Sequence, residues 1–250
     1  MLFKKLTIKI LVLIICLISR QVLASTSKAI TISGSSSIKA ILNHYEPVIE
    51  KDSGILINVI AKNSKQGVMD LVNGDADLAI ISTPLTYLSK DLPNIDVSSL
   101  RSYPLGKFSV ALVVHPLNAV KKLTFEQVKD ILQGKITNWQ ALGGDNEEII
   151  IVTEFSGGGI RSIIEQTLLK GKINIPIKAM ENAAQIKDIV AAVPNAFGLT
   201  SSSLVDSTVN IIELDKVISQ PIIFVARPVA DERITKFIKA LKVVNLNEIY

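Results

Sequence analysis

The chain has 250 residues, 48% hydrophobic and 20% charged, with a formal net charge of +4 and a single cysteine. That length buries an ordinary core, in one large domain or two small ones, and one cysteine excludes a disulfide framework. The positive charge is concentrated at the N-terminus. Lys4, Lys5 and Lys9 precede the apolar run Ile10 to Ile18, and Val22-Leu23-Ala24 offers a cleavage point before Ser25. This is the pattern of a secretory signal peptide over residues 1–24, with an apolar run too short to span a bilayer. Cleavage after Ala24 removes Lys4, Lys5, Lys9 and Arg20, leaving as many basic as acidic residues, 23 each. The basicity therefore belongs to export, and no nucleic-acid or anionic-membrane partner is expected. Cys16 leaves with the signal; Ile14-Ile15 before it is unlike a lipoprotein signal, so no lipid anchor is expected there. Few aromatics among many Ile, Val, Leu and Ala suit an α/β fold.

In chain order, Ala29 to Ser33 is a β-branched run opening into Gly34-Ser35-Ser36-Ser37. A helix follows, with Ile38, Ile41, Leu42, Tyr45, Val48 and Ile49 on one face. A strand, a glycine–hydroxyl turn and a helix start make either an anion site, through free N–H groups and the helix dipole, or an ordinary serine cap. Ile55 to Ala61 reads as a second strand, with Asn63 to Gly67 opening a second helix. Asp77 to Ile81 reads as a third strand, ending in Ser82-Thr83-Pro84-Leu85. Hydroxyls thus recur at strand ends, the edge where open α/β sheets bind ligands. Ser89 to Ser99 is polar and shows no periodicity.

Ser109 to His115 is nearly continuously apolar and reads as a buried strand. Phe125, Val128, Ile131 and Leu132 put a helix over Thr124 to Gln133, capped by Thr124 and stopped by Gly134. The loop Lys135-Ile-Thr-Asn-Trp139 and the turn Gly143-Gly144 follow, with Trp139 expected as a core anchor. The strand at Glu148 to Thr153 leads into Glu154-Phe155-Ser156-Gly157-Gly158-Gly159-Ile160-Arg161, then a helix bearing Ile163, Ile164 and Leu168. This glycine turn fits neither a Walker A loop nor a G-x-G-x-x-G pattern. Ile186, Ile189, Val190 and Val193 give another helix. Ile211 to Leu214 and Ile222 to Ala226 are expected strands, and Ile234, Phe237, Ile238 and Leu241 mark a closing helix.

The segment Leu123 to Gly144, LTFEQVKDILQGKITNWQALGG, closely resembles the periplasmic phosphate-binding proteins that feed phosphate ABC transporters. The resemblance extends to GSSS at 34–37, Ser64 ahead of Gly67, DLAIISTPL at 77–85, the glycine loop at 157–159 and Pro194 to Leu199, so it spans nearly all of the mature chain. It implies an α/β, two-lobed periplasmic binding protein of type II, Venus-flytrap architecture. Lobe 1 would hold residues 25–107 plus 201–250, and lobe 2 residues 108–200. The implied function is capture of phosphate or a related oxyanion in the interlobe cleft for an ABC transporter permease, by a periplasmic monomer with no cofactor and no metal. Ligand positions carried over from the family fall on Ser36, Ser37, Ser64, Ser82, Gly158, Gly159 and Ile160, with Arg161 retained from the family loop.

Four positions depart from the family. Gly158 and Ile160 replace hydroxyl residues, and Glu154 replaces an arginine. Ser82 stands where larger members carry an aspartate that accepts the proton of hydrogen phosphate. With phosphate in the cleft, the Glu154 carboxyl is expected to turn away, to pair with Arg161 or a lysine, or to be held protonated. A diverged receptor with a signalling, scaffold or adhesion role is the alternative. Catalysis is not expected: His44 and His115 are the only histidines, no metal-ligand spacing occurs, and no G-x-S-x-G elbow is present.

Overall fold

The structure is a computed structural model that describes residues 29–244; the expected signal peptide, with Cys16 and Ala24, lies outside the described residues. Three parallel strands begin the fold: β1 (Ala29–Ser35) lies between β2 (Leu56–Lys62) and β3 (Leu78–Ile81). Parallel neighbours require crossovers, supplied here by α1 (Ser36–Ser53) and α2 (Ser64–Asn73). Beyond β3 the sheet continues antiparallel through β11 (Ser219–Ala226) to β4 (Arg101–Val114). The far half of β4 pairs with β8 (Ala196–Ser201), which is followed by β6 (Ile150–Glu154) and β7 (Lys178–Met180).

Strand alternation divides the core by face and by half. On one face of the first half, Ile30, Ile32, Ile222 and Phe224 meet Ile38 and Leu42 of α1 and Phe237 of α7 (Glu232–Val243). Phe224 and Phe237 pack edge to face at 5.6 Å. On the other face, Val68 and Leu71 of α2 cover Ala79, Ile81 and Val225. The second half repeats the scheme: Leu112 and Val114 face Trp139 and Phe197, while Ala111 and Val113 face Ile186 and Val190 of α6 (Ala183–Ala192). Each half is thus a helix–sheet–helix sandwich with its own core, and the fold is two-lobed. Among the described residues no helix is long and apolar enough to cross a membrane.

Several expected elements change extent. β4 begins at Arg101 rather than Ser109. Its first half contains Pro104 and Gly106, which weaken any strand signal, but β11 pairs with it from Ala226 to Ser219; Ile222 stands opposite Gly106 and Ile223 opposite Pro104, so Leu105 is left as a bulge on β4. The expected strand Ile211 to Leu214 is two short pieces: β9 (Asn210–Ile211) joins β4, and β10 (Glu213–Leu214) joins β5 (Lys122–Leu123). The first lobe was expected to resume at residue 201. Instead Val209, Ile212 and Ile218 pack in the second-half cores, so the chain returns at Ser219, where β11 begins.

The expected central helix is α4 (Phe125–Leu132). Thr124 Oγ1 accepts the Gln127 N–H at 3.2 Å, and the Gln127 side chain accepts the Thr124 N–H at 2.8 Å, a complete capping box. Trp139 is 1% exposed, packs edge to face on Phe197 at 6.0 Å, and donates Nε1–H to the Asn195 carbonyl at 3.0 Å. That carbonyl also accepts the Ile150 N–H. Trp139→Phe therefore leaves no orphaned acceptor and is expected to lower unfolding free energy by about 1–2 kcal/mol, whereas Trp139→Ala lowers it by about 3–5 kcal/mol. Urea denaturation of the three proteins checks this.

Candidate functional site

The turns after β1, β2 and β3 leave the same carboxyl edge of the parallel strands. Their closeness is enforced by glycine. Gly34 has φ +137°, and a Cβ there would stand 2.1 Å from the Ile80 carbonyl oxygen. A Cβ at Gly67 would stand 2.6 Å from the Ser33 carbonyl oxygen, so α2 lies directly on the end of β1. Ser36 and Ser37, the first residues of α1, are 5% and 1% exposed, and neither hydroxyl has a partner among the described residues. The cap position belongs to Ser35, whose side chain makes no cap bond, so the serine-cap reading does not apply. Ser64 Oγ accepts the Ser82 N–H at 3.1 Å and lies 3.4 Å from Ser82 Oγ.

The second lobe supplies the loop after β6. The Gly158 N–H closes a turn on the Phe155 carbonyl at 3.0 Å, with Gly157 at φ +86° as its third residue. A type II turn requires that conformation, which is why glycine stands there. Gly159 then opens α5 (Gly159–Ile163), which runs on as a π-helical turn over Ile164–Leu169. Gly159 presses against the first lobe: a Cβ there would lie 1.9 Å from Ser82 Oγ and 2.6 Å from Ser64 Oγ. Ser64, Ser82 and Gly159 are thereby brought together across the cleft.

The cleft is closed by polar contacts that the sequence did not signal. The Lys65 N–H donates to the Gly157 carbonyl at 3.1 Å, and Asn63 Nδ2–H to the Glu181 carbonyl at 2.9 Å. Ser156 Oγ–H donates to Asp91 at 2.8 Å, and Ser203 Oγ–H to the Ser37 carbonyl at 3.0 Å. Ser203 lies in the short 3-10 turn Ser202–Leu204 after β8, a strand whose pattern AFGLTS carries no clear periodicity.

Glu154 ends β6 and is 4% exposed. Its carboxyl does not turn away from the loop. Oε2 accepts the Ile160 N–H at 2.8 Å, and the Arg161 N–H also bonds the group. Burial pushes its pKa up to about 7, against the lowering effect of those two N–H bonds. Arg161 gives it no counter-charge. The guanidinium donates Nε–H to Glu165 at 2.8 Å, and to the carbonyls of Glu154 and Ile173 at 3.3 and 3.4 Å. Glu165 is 2% exposed and is also held by Lys172 at 2.8 Å. The Arg161 side chain therefore braces the second lobe and does not join Ser64, Ser82 and Gly159. Gly158 explains how Glu154 fits, because a Cβ at 158 would stand 2.3 Å from Glu154 Cβ and 2.5 Å from Oε2. Among the described residues no group of three or more His, Cys, Asp or Glu could hold a metal ion.

A family profile described as a PBP superfamily domain matches residues 21–246. The chain belongs to the PBP superfamily. Among solved PBP-like structures it is similar to a putative phosphate ABC transporter substrate-binding protein with bound phosphate from Clostridium perfringens. That match has 25% identity and a TM-score of 0.74, covering 85% of this chain and 92% of that one. It is also similar to an ABC-type phosphate transport receptor from Vibrio cholerae, with 27% identity and a TM-score of 0.61, covering 85% and 93%. Among curated proteins, the phosphate-binding protein PstS of Bacillus subtilis (strain 168) is 28% identical over 193 residues, 76% of this chain. The chain spans only 63% of that relative's length. These relatives are named as binding proteins, not enzymes.

Two outcomes follow for this PBP superfamily member. The Glu154 carboxyl is protonated more readily folded than unfolded, so its burial costs nothing below about pH 4 and progressively more as pH rises to about 7, roughly 3 kcal/mol in all. Glu154→Gln lacks this penalty. The stability of the variant relative to the parent is expected to climb by that order between about pH 4 and 8, read from denaturant midpoints across pH. The second outcome concerns packing. Gly158→Ser alone is expected to destabilise by about 1–3 kcal/mol, and to be nearly neutral in a Glu154→Gly background, where the Cβ and the carboxyl it would strike are both gone. A double-mutant cycle measures this coupling.

Proposed function

We propose that this chain is a solute-binding protein that captures phosphate or a related tetrahedral oxyanion in the interlobe cleft and delivers it to an ABC transporter permease. The observation that carries this reading is the pair of buried hydroxyls without partners among the described residues, Ser36 and Ser37, at the start of the 18-residue helix α1. An unpaired buried hydroxyl is unfavourable, and two together at a helix start suit a ligand that accepts many hydrogen bonds. Ser64, Ser82 and Gly159 complete the proposed ligand set with hydroxyl and backbone donors; Ile160 joins once its N–H is released by Glu154, while Gly158, whose N–H is held by the Phe155 carbonyl, and Arg161 hold the loop in place. A dehydrated oxyanion is satisfied by such donors without a full counter-charge.

The relatives named as phosphate-binding proteins support the ligand class and the transporter partner, and favour a receptor over a scaffold or adhesion role. Action as a monomer in the periplasm, after cleavage following Ala24, belongs to the same proposal. So does the lack of catalysis, supported by relatives that are binding proteins.

Titration calorimetry with phosphate near pH 6 tests the reading. The parent is expected to bind one phosphate, in the micromolar range or tighter. Gly159→Ala should weaken binding at least about a hundredfold, or about 3 kcal/mol, because its Cβ holds the lobes apart at Ser82. Absence of binding by the parent to phosphate, arsenate and sulfate would overturn the proposal.

A further inference from the structure

The two lobes present their donors differently. The first lobe holds Ser36 and Ser37 hydroxyls that have no hydrogen-bond partner among the described residues. In the second lobe the Ile160 and Arg161 N–H groups are already taken, by the carboxyl of Glu154. That carboxyl is built into its place: Gly158 leaves the room it fills, and it stands at the end of a buried strand between β7 and the loop. We propose that the Glu154 carboxylate is a built-in competitor of the ligand, holding the backbone donors of Ile160 and Arg161 while ionised, so that an oxyanion gains this side of the cleft only when the carboxyl is protonated or displaced. This inference rests on the oxyanion reading above.

The surrounding charges do not relieve the competition. Arg161, on the same loop, is committed to Glu165. Lys172 is committed to Glu165 at 2.8 Å, with Asp91 of the first lobe 3.9 Å away. Lys65 of α2 lays its aliphatic stem against Gly157 and makes no ion pair with Glu154 among the described residues. On β7 the residue paired with Glu154 is the uncharged Met180, and Lys178 is exposed two positions earlier. An ionised Glu154 and a dianion in one closed cleft therefore repel each other without screening. A protonated Glu154 loses its charge, holds the two N–H groups more weakly, and can donate its O–H to an anion oxygen. Binding above neutral pH then takes up a proton from solvent, which leaves again when the anion is released.

The test is phosphate calorimetry on the parent, Glu154→Gln and Glu154→Ala between about pH 5.5 and 8.5, in two buffers of different ionisation enthalpy. Phosphate itself titrates in this range, but that effect cancels in the ratio of parent to variant dissociation constants. The ratio to Glu154→Gln is expected to rise at least about tenfold from the acidic to the alkaline end. At the alkaline end the parent should take up more protons on binding than the variant. Glu154→Ala, which frees both N–H groups, should bind at least as tightly as Glu154→Gln at every pH. If all three bind and the ratios stay flat, Glu154 is not a competitor, and the oxyanion reading stands without it. If none binds phosphate at any pH, the oxyanion reading falls and takes this inference with it. The isosteric Gln variant preserves the shape of the site, so the test survives if Glu154→Ala fails to fold.

Discussion

The antiparallel ladder between β4 and β11 is the constraint on which the rest of the molecule depends. It runs from Arg101 opposite Ala226 to Ser109 opposite Ser219, and beyond it β4 alone continues into the second lobe. A continuous strand is stiff in its own plane, so both lobes take their orientation from one element. Apolar residues on alternate sides of these strands then demand a helix layer on each face, which is why both halves repeat the same sandwich. The cleft lies where the carboxyl ends of β1, β2, β3 and β6 face one another. Its position follows from strand direction before any ligand chemistry is considered.

Within that cleft, proximity is governed by missing side chains as much as by those present. Gly34 and Gly67 bring the first-lobe turns against one another, and Gly159 brings the second lobe onto Ser64 and Ser82. Each of these contacts is closer than any Cβ permits. The polar interlobe bonds from Lys65, Asn63, Ser156 and Ser203 are few and partly exposed. Contacts of this kind contribute about 1 kcal/mol each.

The glycine loop after β6 is internally consistent. Glu154 and Gly158 form one structural unit, since the carboxyl uses the volume that a side chain at 158 would need. Arg161 is diverted to a buried Glu165, so the second lobe holds a braced guanidinium and an unbalanced carboxyl side by side. The first lobe keeps its hydroxyl donors. The two walls of the cleft are therefore built differently.

Much of this was legible in the chain. The helical spacing of Phe125 to Leu132, with Thr124 before it, fixed a capped helix, because local hydrogen bonds and a 3.6-residue period need no tertiary partner. The glycine–serine turns at 34–37, 64–67 and 157–159 marked where strands end and helices begin, since backbone geometry there is set by residue type. Other features were decided only by the tertiary structure. The first half of β4, with Pro104 and Gly106, is a strand because β11 supplies its partner. Residues 205–218 belong to the second lobe because Val209, Ile212 and Ile218 find their core there. Arg161 and Glu154, seven residues apart, could have paired; burial of Glu165 beside Arg161 and the free N–H groups at 160 and 161 sent them to different partners. Sequence carries local geometry and burial pattern, whereas the choice among competing partners depends on distances that exist only once the lobes are folded.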